Sequence, residues 1–470
     1  MKELTPQGSA LREDPGHRPR WTWFLGAGCV LVTFIGLLMT RLNNEPASRL
    51  ASTNALGAAT SANSSSAGRS RLPHRPTSSE PALTAEEIVA RKLSQFGKNR
   101  RELVHAIAKH FKVDVPVDVE RFFDAVEGGR WEEIDTAFKS LRGEYPSSPR
   151  SPELNSFWRC IQETWGIARE AHNWPAQKLL DYGEAVLGSL RPGMVYVGGT
   201  DSGSFIPTFL NETSESEHHI VLTQNALADG TYLHYLNYLY GDRFATLSDE
   251  DSQRCFQEYL QDAQRRLQSN QLKPGEDVRI AENRIQVSGQ VAVMAINEKL
   301  LQTLLQKNPD LSFALEESFS LKSTYTGAAP LGPIMELRVQ DEKNALTPER
   351  AAQSLDYWRA TTQRLLSDPG TPPDSDPRKA YAQMAMAQAN LFADRNCLAE
   401  AEQAYRLAHE LSPVHTDTVF GLSELLVRTG RADEGNQLLD DFARNNADQQ
   451  SAVEKFRKTL PKPAAQPPRP

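Results

Sequence analysis

Met194-Val195-Tyr196-Val197 runs directly into Gly198-Gly199-Thr200-Asp201-Ser202-Gly203. A short, wholly apolar run bounded by turn residues fits a buried strand. Three glycines interleaved with Thr, Asp and Ser then make a tight polar loop at its end. Small residues there let a backbone approach a ligand closely. A short helix through Phe205, Phe209 and Leu210 follows. Next comes a second strand, His219-Ile220-Val221-Leu222-Thr223, ending at Gln224-Asn225. Strand, loop, helix, strand is the beginning of an α/β layer with parallel strands.

Working outward toward the C-terminus, Gly230 to Tyr240 reads as helix, and Thr246 to Leu272 as a longer, mostly solvated one. Val278–Ile280 and Arg284–Val287 flank Ala281-Glu282-Asn283 like a hairpin. Ser288 is expected to cap a helix over Gln290 to Gln306, and Ile334 to Val339 alternates like a late strand. Residues 191–345 thus read as a mixed α/β domain, a small sheet covered by helices.

Residues 83–190 read as a helical region. Thr84-Ala85-Glu86-Glu87 has the form of a capping box, and Ile88, Leu93, Phe96, Leu103, Ile107 and Phe111 recur at near-helical spacing. Arg121 to Val126 and Trp131 to Ile134, joined through Gly128-Gly129, suggest a helical hairpin of tetratricopeptide type. A Pro/Ser loop from Tyr145 to Pro152 precedes more helix over Glu153 to Leu190, anchored by Trp158, Trp165 and Trp174.

Residues 346–460 are expected to be α-helical. Thr347 is a good N-cap and Pro348 suits the first helical position. A Pro/Asp linker, Asp368 to Pro377, separates that helix from two segments that align 34 residues apart. Ala389, Ala401, Tyr405, Ala408 and Pro413 fall at tetratricopeptide signature positions, and Ser423, Gly435, Leu439, Phe442 and Ala447 occupy the same places in the second segment. Small residues let paired helices approach, and larger ones fill the groove between them. Ala447 departs from the usual terminal proline. Two repeats are fewer than a free-standing array needs, so flanking helices, including one near Val453 to Phe456, are expected to cap them, with the array leaning on the central domain. Pro461 to Pro470 is a proline-rich tail.

The N-terminal segments place the protein at a membrane. Beyond residues 1–20, Trp21 to Thr40 carries no charge, and about 20 apolar residues span a hydrocarbon core of about 30 Å. Trp21 and Trp23 sit where an aromatic belt belongs. Residues 21–42 therefore read as a single transmembrane helix contacting the lipid bilayer. A cleaved signal peptide is the competing reading; the apolar run is long for one and no clean cleavage site follows closely. Arg12, Arg18 and Arg20 precede the segment and Arg41 and Arg49 follow it. This slim excess favours a cytoplasmic N-terminus and an extracytoplasmic bulk, on the periplasmic side. Residues 43–82, rich in Ser, Ala, Asn, Thr and Pro, hold too few large apolar residues to offset chain entropy and read as a disordered linker.

Composition narrows function further. The chain has 470 residues, 24% of them charged, and a net charge of −8. An acidic balance does not suit a nucleic-acid binder, which needs a basic surface. Four cysteines without a C-x-x-C pair make a zinc site or disulfide scaffold unexpected. His218-His219 and His234 are poor metal ligands, because adjacent side chains do not share a face. Glu316-Glu317, after Phe313-Ala314-Leu315, reads as a solvated helix turn in preference to a carboxylate beside the sheet. No metal, cofactor or catalytic residue is expected.

The candidate ligand-binding residues are Thr200, Asp201 and Ser202 in the loop, with Gln224, Asn225 and Asp229 at the end of the second strand. Ligands of α/β sheets bind at the carboxyl edge, and this hydroxyl- and amide-rich rim suits a sugar or nucleotide. The loop lacks Gly-Lys-Ser/Thr and the dinucleotide fingerprint. A tight turn with Asp201 or Ser202 capping the next helix is therefore the favoured structural reading.

Leu179-Leu180-Asp181-Tyr182-Gly183, Leu190-Arg191-Pro192-Gly193-Met194 through Ser202, and His219 through Asn225 resemble the soluble tail of a family of multi-spanning bacterial membrane proteins similar to protein O-mannosyltransferases. That tail carries a strand, a Gly-Asp-Asn-Asp-type loop and a second strand. Gly199 and Asp201 match the loop, and the Asn does not. The likeness covers about 70 residues and lacks the multi-spanning part that would hold a transferase site, so it carries over no activity. The layout also resembles tetratricopeptide proteins of environmental bacteria. The expectation is a membrane-tethered binding or scaffold protein with a protein partner on its tetratricopeptide helices. The alternative is a transferase or hydrolase acting on a glycan or nucleotide at Gly198–Gly203, with Asp201 as acid/base or ligand anchor.

Overall fold

The computed structural model describes residues 83–143, 152–199, 201–216, 218–273, 275–281, 284–316, 327–337 and 346–460. Helix α1 (Ala85–Phe111) opens on the expected reciprocal cap: the Thr84 hydroxyl accepts from Glu87 N, and the Glu87 carboxylate accepts from Thr84 N. Its buried stripe, including Leu93, Phe96, Val104 and Ile107, packs against α2 (Val117–Glu127) and α4 (Pro152–Asn173). Between these two, α3 (Trp131–Arg142) completes a hairpin with α2. Phe138 on α3 stacks on Trp158 at 5.5 Å and on Trp165 at 4.4 Å, so the tryptophans anchor this region as expected. The helix expected over residues 153–190 forms as two segments. Pro175 has no N–H to continue the ladder, and α5 (Ala176–Leu187) begins directly after it.

The parallel unit forms as read. Strand β1 (Val195–Gly198), helix α6 (Asp201–Glu212) and strand β2 (Ile220–Thr223) follow in order, with Val195 opposite Ile220 and Gly198 opposite Thr223. Helices α7 (Gly230–Tyr240) and α8 (Asp249–Gln268) lead to β3 (Asp277–Ala281) and β4 (Arg284–Ser288), a separate antiparallel hairpin. Helix α9 (Gln290–Lys307) is capped at Gly289, not at Ser288, which ends β4. Gly289 turns the chain at a φ of +87°, a region side chains rarely adopt. Strands β5 (Phe313–Leu315), β6 (Ala328–Leu331) and β7 (Ile334–Leu337) complete a mixed five-stranded sheet in the order β2-β1-β5-β7-β6. β1 pairs in parallel with both β2 and β5, while β7 runs antiparallel to its neighbours.

The remaining chain is helical. Thr347 accepts from Arg350 N at the start of α10 (Pro348–Ser367), with Pro348 at the first position. Two antiparallel hairpins follow, α11 (Asp376–Asp394) with α12 (Leu398–Leu411), and α13 (Thr416–Arg428) with α14 (Ala432–Asn445). Ala389, Ala401, Ala408, Ser423 and Leu439 are all buried, as their spacing requires. Helix α15 (Gln450–Arg457) closes the end, with Phe456 stacked on Phe420. The hairpins also lean on the sheet. Buried Gln388 of α11 donates to Gly332 O at 2.9 Å and Ile334 O at 3.1 Å, beside the β6–β7 turn, and bonds Ser354 of α10. Tyr381 meets Tyr182 of α5 edge-on. One apolar core runs from α1 through the sheet into these hairpins.

A largely buried charged cluster lies in the N-terminal half. Arg100 of α1 pairs with Glu212 of α6 and Glu163 of α4, and also bonds the Tyr235 hydroxyl of α7. Tyr235 donates in turn to Glu163 at 3.1 Å, and Arg159 lies 3.4 Å from the same carboxylate. No helix among the described residues is long and apolar enough to cross a membrane. The segments read from sequence as an anchor (21–42), a linker (43–82) and a proline-rich tail (461–470) lie outside the described residues.

Candidate functional site

Because β2, β1 and β5 run parallel, their carboxyl ends meet at one edge. Gly198, Thr223 and Leu315 finish the strands there. The residue after β5 is Glu316, which continues the pairing through its N–H to Val197 O at 3.1 Å. Its carboxylate turns into the glycine loop. One oxygen accepts from Gly199 N at 2.9 Å and the other from the Tyr182 hydroxyl at 2.7 Å. The Tyr196 hydroxyl donates to Gly203 O at 2.7 Å. Glu316 is 1% exposed, so the expected solvated turn is wrong for this residue. Strand pairing carries it into the interior, and Glu317 lies outside the described residues. Burial, then the neighbouring carboxylate, holds the Tyr182 hydroxyl well above its ordinary pKa, keeping it a neutral donor.

This geometry explains the glycines. A Cβ at Gly203 would sit 1.6 Å from Glu316 Oε2, and one at Gly198 would sit 2.5 Å from Gly203 O. The small residues make room for a carboxylate of the chain itself. An anion beside a free N–H near a helix start is the arrangement that binds phosphate elsewhere. Here Glu316 fills that role, and an entering anion would have to displace it into unpaired burial.

Four of the six sequence-predicted residues, Asp201, Ser202, Asn225 and Asp229, each have a different partner. Thr200 lies outside the described residues. Asp201 is the first residue of α6, not its cap, and pairs with Arg169 of α4 at 2.6 Å. Ser202 donates to Glu170 at 2.9 Å. Burial pushes the Glu170 carboxyl up despite the adjoining Arg169. The Arg169 guanidinium lies 5.0 Å from the Trp165 ring centroid, so this corner of the loop faces the N-terminal helices. Asn225 alone of the second-strand residues is seen to grip the loop, donating to Gly199 O at 2.8 Å. Its own carbonyl accepts from Asn297, which also accepts from Ala228 N. Gln224 is buried in a short turn, with its side-chain oxygen unpartnered. Asp229 caps α7 by accepting from Thr231 N.

Tyr182, Tyr196, Arg169, Asn297 and Glu316 were not singled out as loop partners from sequence. Only the apolar run before Glu316 signals any of them. Asp201 keeps 43% of its side chain exposed, and exposed ion pairs contribute little. Asp201→Ala is therefore expected to lower unfolding free energy by less than about 1 kcal/mol in urea titrations.

His219 Nδ1 lies 3.2 Å from Met194 O, and His234 faces Asp249 at 3.1 Å. Among the described residues no group of three or more His, Cys, Asp or Glu is placed to hold a metal ion. Cys160 is buried, which pushes its thiol up to about 12 and leaves it unreactive. No family model, curated protein or solved structure matches the chain.

Proposed function

We propose that the protein is a single-pass, membrane-tethered scaffold whose C-terminal helical hairpins, of tetratricopeptide type, hold a protein partner on the extracytoplasmic side. Catalysis has no part in this reading. The observation that supports it is the seating of α11 on the sheet through buried Gln388. This fixes the hairpins as a rigid extension of the central domain, and a preformed surface loses less entropy on binding. The glycine loop, with Glu316 in its cradle, serves as internal packing that holds the sheet to α5. The sequence likeness to tetratricopeptide proteins and the apolar segment at 21–42 supply the rest.

Photo-crosslinkers placed at the exposed positions Glu410 and Glu424 test the reading in the full chain, solubilised from membranes. One protein crosslinked from both positions, and lost when either neighbouring surface is charge-reversed, is the expected result. No shared product from the two positions overturns it.

A further inference from the structure

One cavity lies away from the glycine loop. It has a volume of about 200 Å³ and is lined by Ile107 and Phe111 of α1, Asn155 and Ser156 of α4, and a run of α7 from Thr231 to Tyr238. An apolar cavity of about 150 Å³ holds benzene, so this one has room for a single six-membered ring. No carboxylate, ammonium or guanidinium lines it, and the imidazole in its lining, His234, already faces Asp249 at 3.1 Å.

Its walls are held in place from behind. The Tyr235 hydroxyl is tied to Arg100 and Glu163, which fixes the ring that forms one wall. His110 meets the rings of Phe111 and Tyr238 edge-on at 4.9 and 5.4 Å. His234 at the rim faces Asp249. Phe111 remains 48% exposed, an uncommon state for a phenylalanine beside so many aromatic neighbours. The polar part of the lining is the Asn155 amide, the Ser156 and Thr231 hydroxyls, the His234 imidazole and the tyrosine hydroxyls; the Thr231 hydroxyl donates to Asp229 at 2.8 Å and keeps its lone pairs for accepting.

Aromatic faces beside amide and hydroxyl groups match a ring that has apolar C–H faces and a hydroxylated edge. We infer that this cavity binds a neutral hexopyranose, as a free sugar or as the end of a glycan. The ring lies against Tyr235, Tyr238 and Phe111, and its hydroxyls meet Asn155 and Thr231. The inference is independent of the scaffold reading and concerns a different face of the molecule.

Saturation-transfer NMR on the detergent-solubilised full chain tests it. The probes are glucose, mannose, galactose and N-acetylglucosamine, each as the reducing sugar and as its methyl glycoside, and phenol. At least one sugar is expected to bind with a Kd on the order of 1 mM. Response from a methyl glycoside identifies a glycan end, and response from the reducing sugar alone identifies a free sugar. Asn155→Ala should weaken that sugar about three- to ten-fold. Thr231→Phe, at an exposed helix position, should fill the mouth and abolish transfer while leaving the melting temperature unchanged. The inference is overturned if every sugar is silent up to tens of millimolar, if phenol alone binds, or if a sugar signal survives Thr231→Phe.

Discussion

Arg100→Met is expected to destabilise the protein by about 3–5 kcal/mol at neutral pH. Arg100 is 2% exposed and serves Glu163, Glu212 and the Tyr235 hydroxyl together. Methionine replaces only the aliphatic stem and returns none of that charge, so buried Glu163 is left with Arg159 and partly buried Glu212 with His218. The deficit should depend on pH. Burial already holds Glu212 above the ordinary carboxylate value, against the pull of Arg100. A group whose folded pKa exceeds its unfolded one contributes most in acid, and that contribution is lost as pH rises through the folded value. Removing Arg100 raises the folded value further, so the variant's deficit must shrink toward acid and grow toward neutrality. Paired thermal melts of both proteins across that range measure it. A deficit independent of pH would show that lost packing, not stranded charge, sets the cost.

Glu316→Ala is expected to cost about 3 kcal/mol, because it strands two buried donors, Gly199 N–H and Tyr182 O–H, at ~1–3 kcal/mol each. Gly203→Ala should cost a similar amount for the opposite reason. Its new methyl group collides with the Glu316 carboxylate, and overpacking a filled interior costs about 1–3 kcal/mol. The two changes share one volume, so their effects cannot add. In the Glu316→Ala background the methyl group introduced by Gly203→Ala has room, and its additional cost should fall below about 1 kcal/mol. Urea titrations of the four proteins complete the cycle. Simple additivity would mean that the carboxylate does not occupy the loop.

The loop illustrates how a correct local reading misses its purpose. Its strand and following helix are dictated by residues close together in the chain; the strand forms where expected, while the helix starts early, so that Asp201–Gly203, read as loop, are its first turn. The partner that explains its glycines is Glu316, 117 residues from Gly199. Parallel pairing through β1 brings β5 alongside, and no local period reports that neighbour. Asp201 and Ser202 likewise look like a ligand rim beside Asn225 until α4 supplies Arg169 and Glu170. Asp229 reads as rim from sequence, yet two residues later Thr231 shows it to be a helix cap.

What the chain determines by itself is therefore local and periodic. The Thr84 and Thr347 caps, the break at Pro175, the β3–β4 hairpin and the 34-residue spacing of the C-terminal helices all arise from contacts within a turn or between adjacent elements. Tertiary structure alone decided the sheet order β2-β1-β5-β7-β6, the burial of Glu316, the closure of the Arg100 cluster and the docking of Gln388 beside the β6–β7 turn. Each of these pairs a polar group with a partner far along the chain. An isolated buried polar group is so costly that the folded chain must find it a partner. Which partner it finds depends on how the helices and strands are stacked.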